Sequence, residues 1–326
     1  MNNHGTASTP DPIARMGKSH TSNSVMTWLQ LMRLPTVFTA LSNILCGFLI
    51  THRIPHLKVA QLPVQKELWL LLLSTSGLYL GGMVLNDVFD AKTDSVERPE
   101  RPIPSGRISL RSAAIFGSLL MLTGVLAAAA VGTPSLVIAV MIVPCVLAYN
   151  GFLKATIAAP LGMGSCRFLN LMLGASAVSD LSALWQALPM TVAVALGIYI
   201  VGVTVFARNE AGQSRPALLV CGLVILSSGI CLDAWAISQY GTSENAVSGS
   251  RMALLILSLN LLMRAAAAVP SGAPRRIQQT VGLMLLCIIF LDAIIVFAMT
   301  ADAKLAALVI MLVAPASLLR RVIPMS

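Results

Sequence analysis

Ten apolar runs separated by short polar breaks leave this chain few options. They lie near 26–51, 67–90, 109–132, 134–149, 156–178, 184–206, 215–239, 251–268, 277–299 and 303–320. Most reach the ~18 residues that a helix needs to cross the hydrocarbon core of a bilayer; the fourth is short, and the last is the weakest. Lipid offers no hydrogen bonds to an exposed backbone, so a spanning segment must be a helix or part of a closed barrel. Ala, Leu, Gly and Met dominate the runs, and nothing shows the alternating strands of a membrane barrel. The expected fold class is all-α, a polytopic membrane helix bundle of nine transmembrane helices, or ten if the last run also crosses. With 56% hydrophobic and 11% charged residues, a soluble globular fold is excluded.

Residues 1–25 are polar, contain Pro10 and Pro12, and lack the apolar core of a signal peptide, so they read as a disordered cytoplasmic tail ahead of a membrane domain at 26–326. With ten spans and the N-terminus inside, sixteen Lys and Arg fall on the inner side and five outside. That asymmetry is a positive-inside signal, and it sets the polar segments after the second and sixth runs on the cytoplasmic face. The net charge of +9 is then topology, and no nucleic-acid partner is expected. The expected localisation is an integral multi-pass protein with a cytoplasmic N-terminus, in the bacterial inner membrane.

One segment breaks the apolar pattern. Val84 to Arg111 holds five of the chain's 13 acids (Asp87, Asp90, Asp94, Glu97, Glu100) and five bases (Lys92, Arg98, Arg101, Arg107, Arg111). On a helix Asn86, Asp87, Asp90 and Asp94 share one face, where like charges repel. A Mg²⁺ ion is the natural compensation, since it binds through one or two carboxylates, waters and substrate phosphates. The nearby Arg98, Arg101 and Arg107 suit a diphosphate, because a guanidinium fork matches phosphate geometry. Pro99, Pro102 and Pro104 stiffen the loop that carries them. The alternative is a merely solvated basic loop between two membrane helices.

The pattern Asn-Asp-x-x-Asp-x-x-x-Asp followed by Arg-Pro-x-Arg-Pro-Ile-Pro-Ser-Gly resembles the first aspartate-rich motif of the UbiA-type intramembrane prenyltransferases. The resemblance implies a helical bundle around a central lipid-accessible cavity that moves an isoprenoid chain from its diphosphate onto an acceptor, often aromatic, with Mg²⁺ held by two acidic loops. It implies catalytic roles for Asp87, Asp90 and Arg101, and metal ligation by Asp87, Asp90 and Asp94. The partners implied are a prenyl diphosphate, a membrane-accessible acceptor and the lipid bilayer. This sequence departs from the family at the second motif, TVFARNEAGQS, where Glu210 is the only acid, beside Arg208, Asn209 and Gln213. Glu210 is expected as a remaining metal ligand and Arg208 as a phosphate contact. The alternative is a protein that keeps the diphosphate loop without chemistry, as a lipid or prenyl-diphosphate binder or transporter.

Polar residues inside the runs need reasons, because a mid-bilayer charge costs roughly 2.5–3.5 kcal/mol. Asn43 suits either a diphosphate or a neighbouring helix. Tyr149, Asn150 and Lys154 end the fourth run on the inner side, and Lys154 is either a phosphate ligand or an interfacial lysine. Arg167 and Asn170 share a face with no acid nearby in sequence, which asks for an anion from another helix or from a substrate. Arg107, Arg98, Asn86, Tyr149, Lys154, Arg167, Asn170 and Arg208 complete the expected substrate-binding set with Asn43. Asp233 and Asp292 are expected to make helix–helix hydrogen bonds. The six cysteines lie in apolar runs without metal or redox spacing and read as packing residues. Repeated small residues at Gly117, Gly124, Gly162, Gly164 and Gly174 suit close helix contacts.

Overall fold

The structure, a computed structural model, describes residues 24–52, 59–208, 215–270 and 273–322. Expectations for the N-terminal tail and for Asn209, Glu210 and Gln213 therefore lie outside the described residues.

A short helix α1 (Ser24–Leu31) leads through a tight turn into α2 (Val37–Thr51), and the expected continuous run over 26–51 is broken there. Pro35 explains the break, since it removes an amide donor and restricts its neighbour. Arg33 adopts a left-handed φ of 47° at this turn. The chain then alternates through α3 (Lys66–Glu97), α4 (Leu110–Val131), α5 (Thr133–Gly151), α6 (Ala159–Gly174), α7 (Ala187–Ala207), α8 (Pro216–Tyr240), α9 (Glu244–Ala268) and α10 (Pro274–Thr300). The last run, expected as one helix, is divided into α11 (Ala303–Ile310) and α12 (Val313–Val322). Pro315 cannot donate to the carbonyl of Met311, which lies at the break.

Among the described residues nine helical segments are long and apolar enough to cross a membrane, counting α11 and α12 together. The segment that falls short is α6, at 16 residues, and not the fourth or the last run. The protein is an integral, multi-pass helical membrane protein. Its outward faces support this: Ile115, Leu119, Leu122 and Leu126 of α4 are all more than half exposed. In water such stripes would be aggregation sites, whereas in lipid they are solvated.

Close glycine contacts set the helices that matter for function. A Cβ on Gly47 of α2 would lie 2.3 Å from the Leu171 carbonyl oxygen of α6, and one on Gly174 would lie 2.6 Å from the Ile44 oxygen. Only glycine permits this approach, which brings Arg167 and Asn170 against α2. The contacts expected at Gly117 and Gly124 are likewise seen, between α3 and α4.

Helix α3 runs 32 residues, about 48 Å at roughly 1.5 Å per residue. The acidic face thus lies on a helix that projects past the end of the 67–90 run, and the following loop starts only at Arg98. That loop is no solvated lid. Arg101, Pro102 and Ile103 are buried, and Ile103 and Ile108 pack with Leu31, Val84 and Ala113 in a small apolar cluster.

Candidate functional site

The acidic face of α3 sits where the ends of α2, α5 and α4 meet, and each carboxylate is met by a base. Arg33 donates from Nη2 to Asp87 Oδ1 at 2.9 Å. Arg101 donates from Nη1 to Asp94 Oδ2 at 2.7 Å and stands 3.7 Å from Asp87 Oδ1. Lys154, on the turn after α5, donates to Asp90 Oδ1. The repulsion read from the sequence is therefore already compensated by protein cations, two of which come from 54 and 64 residues away. In the sequence Arg33 is one of the sixteen inner-side bases, and the signal that singles it out is a lone base before Leu-Pro within the first apolar run.

Each of the three carboxylates commits one oxygen to a base, and the other oxygen has no hydrogen-bond or ion-pair partner among the described residues. No three acidic, His or Cys side chains among the described residues are close enough to grip a metal by themselves. This donor set fits Mg²⁺ in its usual manner, with one or two carboxylates and the remaining positions left for water and phosphate oxygens. The Asp90–Lys154 pair is the most accessible, with both side chains about a quarter exposed. Asp87 and Asp94 are nearly buried.

Beside this ionic end lies a cavity of ≈ 240 Å³ between α3, α5 and α6, to which Asn86, Arg33, Tyr149, Arg167 and Asn170 contribute. A second lobe of ≈ 380 Å³ between α2, α7, α10 and α12 shares Arg33, Tyr79, Met83, Tyr149, Met163 and Arg167 with it. The two lie side by side, with these shared side chains between them. Most of its remaining walls are apolar, as in Leu78, Ile142, Ile200 and Leu285.

Arg167 is 7% exposed and held facing this space. Its Nη1 donates to Asn43 Oδ1 at 3.2 Å and its Nη2 to Thr39 Oγ1 at 2.9 Å, with its guanidinium 5.3 Å from the Tyr79 ring centre. Asn43 in turn donates from Nδ2 to Asp292 Oδ2 at 2.7 Å, and Ser42 donates to the same oxygen at 2.6 Å. Asp292 therefore makes the helix–helix hydrogen bonds expected of it. Asp233 departs from that expectation, since its buried Oδ1 has no hydrogen-bond partner. Asn170 bonds the Ala40 carbonyl at 2.9 Å and accepts from Thr75 at 2.6 Å.

Other expected residues lie apart. Arg98 is exposed at the end of α3. Arg107 is exposed and folds back onto its own loop, donating to the Glu100 carbonyl at 2.7 Å and to Ser105 Oγ at 3.0 Å. Arg208 is exposed at the end of α7, with one long contact of 3.5 Å to the Thr156 carbonyl. Lys154 and Arg208 lie at the same end of the bundle as Asp87 and Asp90.

Fold and site together define a membrane-embedded helical bundle with an acid–base cluster at one end of an apolar cavity. The profile of the UbiA prenyltransferase family matches residues 40–324, and the chain belongs to that family. Digeranylgeranylglyceryl phosphate synthase of Saccharolobus solfataricus is 31% identical over 133 residues, 41% of this chain and 45% of its own. The enzyme of that name from Methanothrix thermoacetophila is 36% identical over 116 residues, 36% and 41% of the two chains. These matches thus span less than half the length of the curated relatives. Among solved structures, an apo UbiA homologue from Aeropyrum pernix superposes with a TM-score of 0.62 at 16% identity, over 81% of this chain and 98% of that one. A UbiA homologue from Archaeoglobus fulgidus bound to GPP and Mg²⁺ gives 0.52 at 14% identity, over 87% and 99%. At such identities these structures speak for the fold alone.

Proposed function

We propose that this protein transfers a prenyl group from a prenyl diphosphate to an acceptor within the membrane, in a Mg²⁺-dependent reaction. The observation that carries this reading is the row of carboxylates, each with one oxygen uncommitted among the described residues, set among Arg33, Arg101 and Lys154 at the polar end of an apolar cavity. The family membership supports it, as does the Archaeoglobus homologue that binds GPP and Mg²⁺ in the same fold.

In this reading the isoprenoid tail lies among the apolar walls and the diphosphate meets the bases at the ionic end. Asp87 and Asp90 would hold the metal, and Asp94 orients Arg101. Mg²⁺ bound there would supply Lewis-acid neutralisation of the departing diphosphate. Arg101, fixed by Asp94 and Asp87, needs no reorganisation to face the developing charge, which is where electrostatic catalysis gains most. Lys154 leaves Asp90 for the phosphate oxygens. The carbon–oxygen bond breaks, and the largely apolar walls keep water from the allylic cation until the acceptor attacks. The ionic end faces the cytoplasm by the distribution of Lys and Arg.

The test is product formation by the purified full-length chain in lipid nanodiscs with Mg²⁺, a series of prenyl diphosphates of increasing length, and aromatic and glycerophosphate acceptors, followed by mass spectrometry. A prenylated product that disappears with EDTA is expected. Tight diphosphate binding without any product would favour a binding protein or transporter.

A further inference from the structure

Helices α5 and α6 form an antiparallel hairpin whose register is fixed at two levels. At one end Ser135 of α5 donates from Oγ to the carbonyl of Ser176, just past α6, at 3.1 Å. Towards the other, Gly162 faces Tyr149, and a Cβ on Gly162 would stand 3.8 Å from Tyr149 Cβ. Counting inward from either contact arrives at the same two residues: Cys145 and Cys166 lie ten residues in from the serines and one turn from Tyr149 and Gly162. The two thiols do meet there, each as the other's hydrogen-bonding partner. The Cβ atoms of a disulfide are roughly 3.5–4.5 Å apart, and the spacing of the helices one turn away already lies in that range.

The other cysteines set this pair apart. Cys46 and Cys287 are buried, and Cys221 and Cys231 are exposed on the outer side of α8. A thiol sealed in apolar surroundings is inert, whereas one with polar access reacts. Cys145 and Cys166 are both partly buried, and Cys166 lines the lobe of ≈ 240 Å³ between α3, α5 and α6. A small polar oxidant that enters this lobe meets the Cys166 sulfur, with the Cys145 thiol at its side. The surroundings give the pair a consequence. Arg167 follows Cys166 in the chain and lines the same lobe, and the turn between the two helices carries Lys154, the partner of Asp90.

We infer that Cys145 and Cys166 are a modification site, a dithiol that hydrogen peroxide converts reversibly into a disulfide, and that this bond slows prenyl transfer. The effect on transfer rests on the prenyl-transfer reading, and the disulfide itself does not. The Cys166 sulfur, having lost its proton, attacks the O–O bond, becomes a sulfenic acid and releases water. The Cys145 sulfur then attacks that sulfur, the S–S bond forms and a second water leaves. Two thiols give up two electrons and two protons, and the peroxide takes them up as its O–O bond breaks; a dithiol reductant reverses the change. The bond closes a covalent ring around the turn that holds Lys154 and ties the backbone beside Arg167 to α5. Lys154 has to leave Asp90 to meet a phosphate, and a stapled hairpin opposes that exchange.

The experiment has a mapping arm and a turnover arm. In the first, the full-length chain in nanodiscs is treated with hydrogen peroxide, the remaining thiols are alkylated, and the digest is analysed by mass spectrometry. A peptide that links Cys145 to Cys166 is expected, and dithiothreitol should remove it. In the second, the oxidised protein should transfer prenyl groups about tenfold more slowly, since small displacements of a positioned group cost at least that much, and dithiothreitol should restore the rate. The double variant Cys145→Ala, Cys166→Ala should have the same rate before and after peroxide. Alkylation of both thiols after peroxide, a link from either to another cysteine, or a linked peptide with an unchanged rate would overturn the proposal. Absence of transfer by the reduced parent would count against the transfer reading instead. Affinity for geranyl diphosphate then reads the staple: it should weaken on oxidation, and equal affinity with and without the disulfide would overturn the effect assigned to it.

Discussion

The ionic end of α3 and the polar network at the middle of the bundle are both built from Arg, Asp and Asn, yet they use charge in opposite ways. At the ionic end each acid touches a base directly, and Asp90 and Lys154 remain accessible. In the middle, Arg167 and Asp292 are separated by the Asn43 amide, which accepts from one and donates to the other. A direct pair that reaches solvent can open and exchange partners with a metal or a phosphate. A buried relay of hydrogen bonds through a neutral amide is rigid, and opening it strands a polar group in apolar surroundings. Function that requires charge to come and go therefore belongs at the end of α3, while the network holds Arg167 in place.

Four substitutions sharpen this contrast. The largest effect is expected at Asp90: Asp90→Ala removes a metal oxygen and frees Lys154, so Mg²⁺-dependent transfer should fall by about a hundredfold or more. The amount of protein inserted in membranes should not change, and product formation normalised to that amount checks both. Arg101→Ala comes next. It strips two nearly buried carboxylates of their shared cation, and such a loss costs about 3–5 kcal/mol, so both thermal stability in detergent and activity should drop. Arg101→Lys should recover the stability better than the activity, because a point charge cannot reproduce the fork.

Asn43→Leu breaks the relay without touching the ionic end. A loss of about 1–3 kcal/mol of stability is expected, with the Mg²⁺ concentration for half-maximal rate unchanged; a shift in that concentration would erase the distinction drawn between the two regions. The smallest effect is expected at Arg107, which is exposed and bonds its own loop. Arg107→Ala should alter stability by less than about 0.5 kcal/mol and leave diphosphate affinity close to that of the parent in a direct binding assay.

Much of this was legible in the sequence. The helical class followed from the apolar runs, and the shared face of Asn86, Asp87, Asp90 and Asp94 followed from spacing alone. Arg167 and Asn170 were recognisable as cavity residues because an arginine inside an apolar run demands a partner. What spacing cannot show is which distant side chains meet. Arg33 reaches Asp87 because Pro35 interrupts the first run and turns the chain there, and Lys154 reaches Asp90 because α5 returns beside α3. The arginines of the 98–107 loop looked equivalent on paper. The fold separates them, because apolar contacts of Ile103 and Ile108 pull the loop inward around Arg101 and leave Arg98 and Arg107 outside. The division of the last run at Pro315 and the shortness of α6 were likewise hidden by continuous hydrophobicity.

The central claim is that the acidic face of α3 and its bases form a metal–diphosphate site. The most direct measurement is the affinity of the purified full-length chain for geranyl diphosphate, titrated against Mg²⁺, for the parent and for Asp87→Asn and Asp90→Asn. The account predicts parent affinity that strengthens as Mg²⁺ is added and a response that is largely lost in both variants. Affinity that is indifferent to Mg²⁺, or that responds equally in all three proteins, would contradict it.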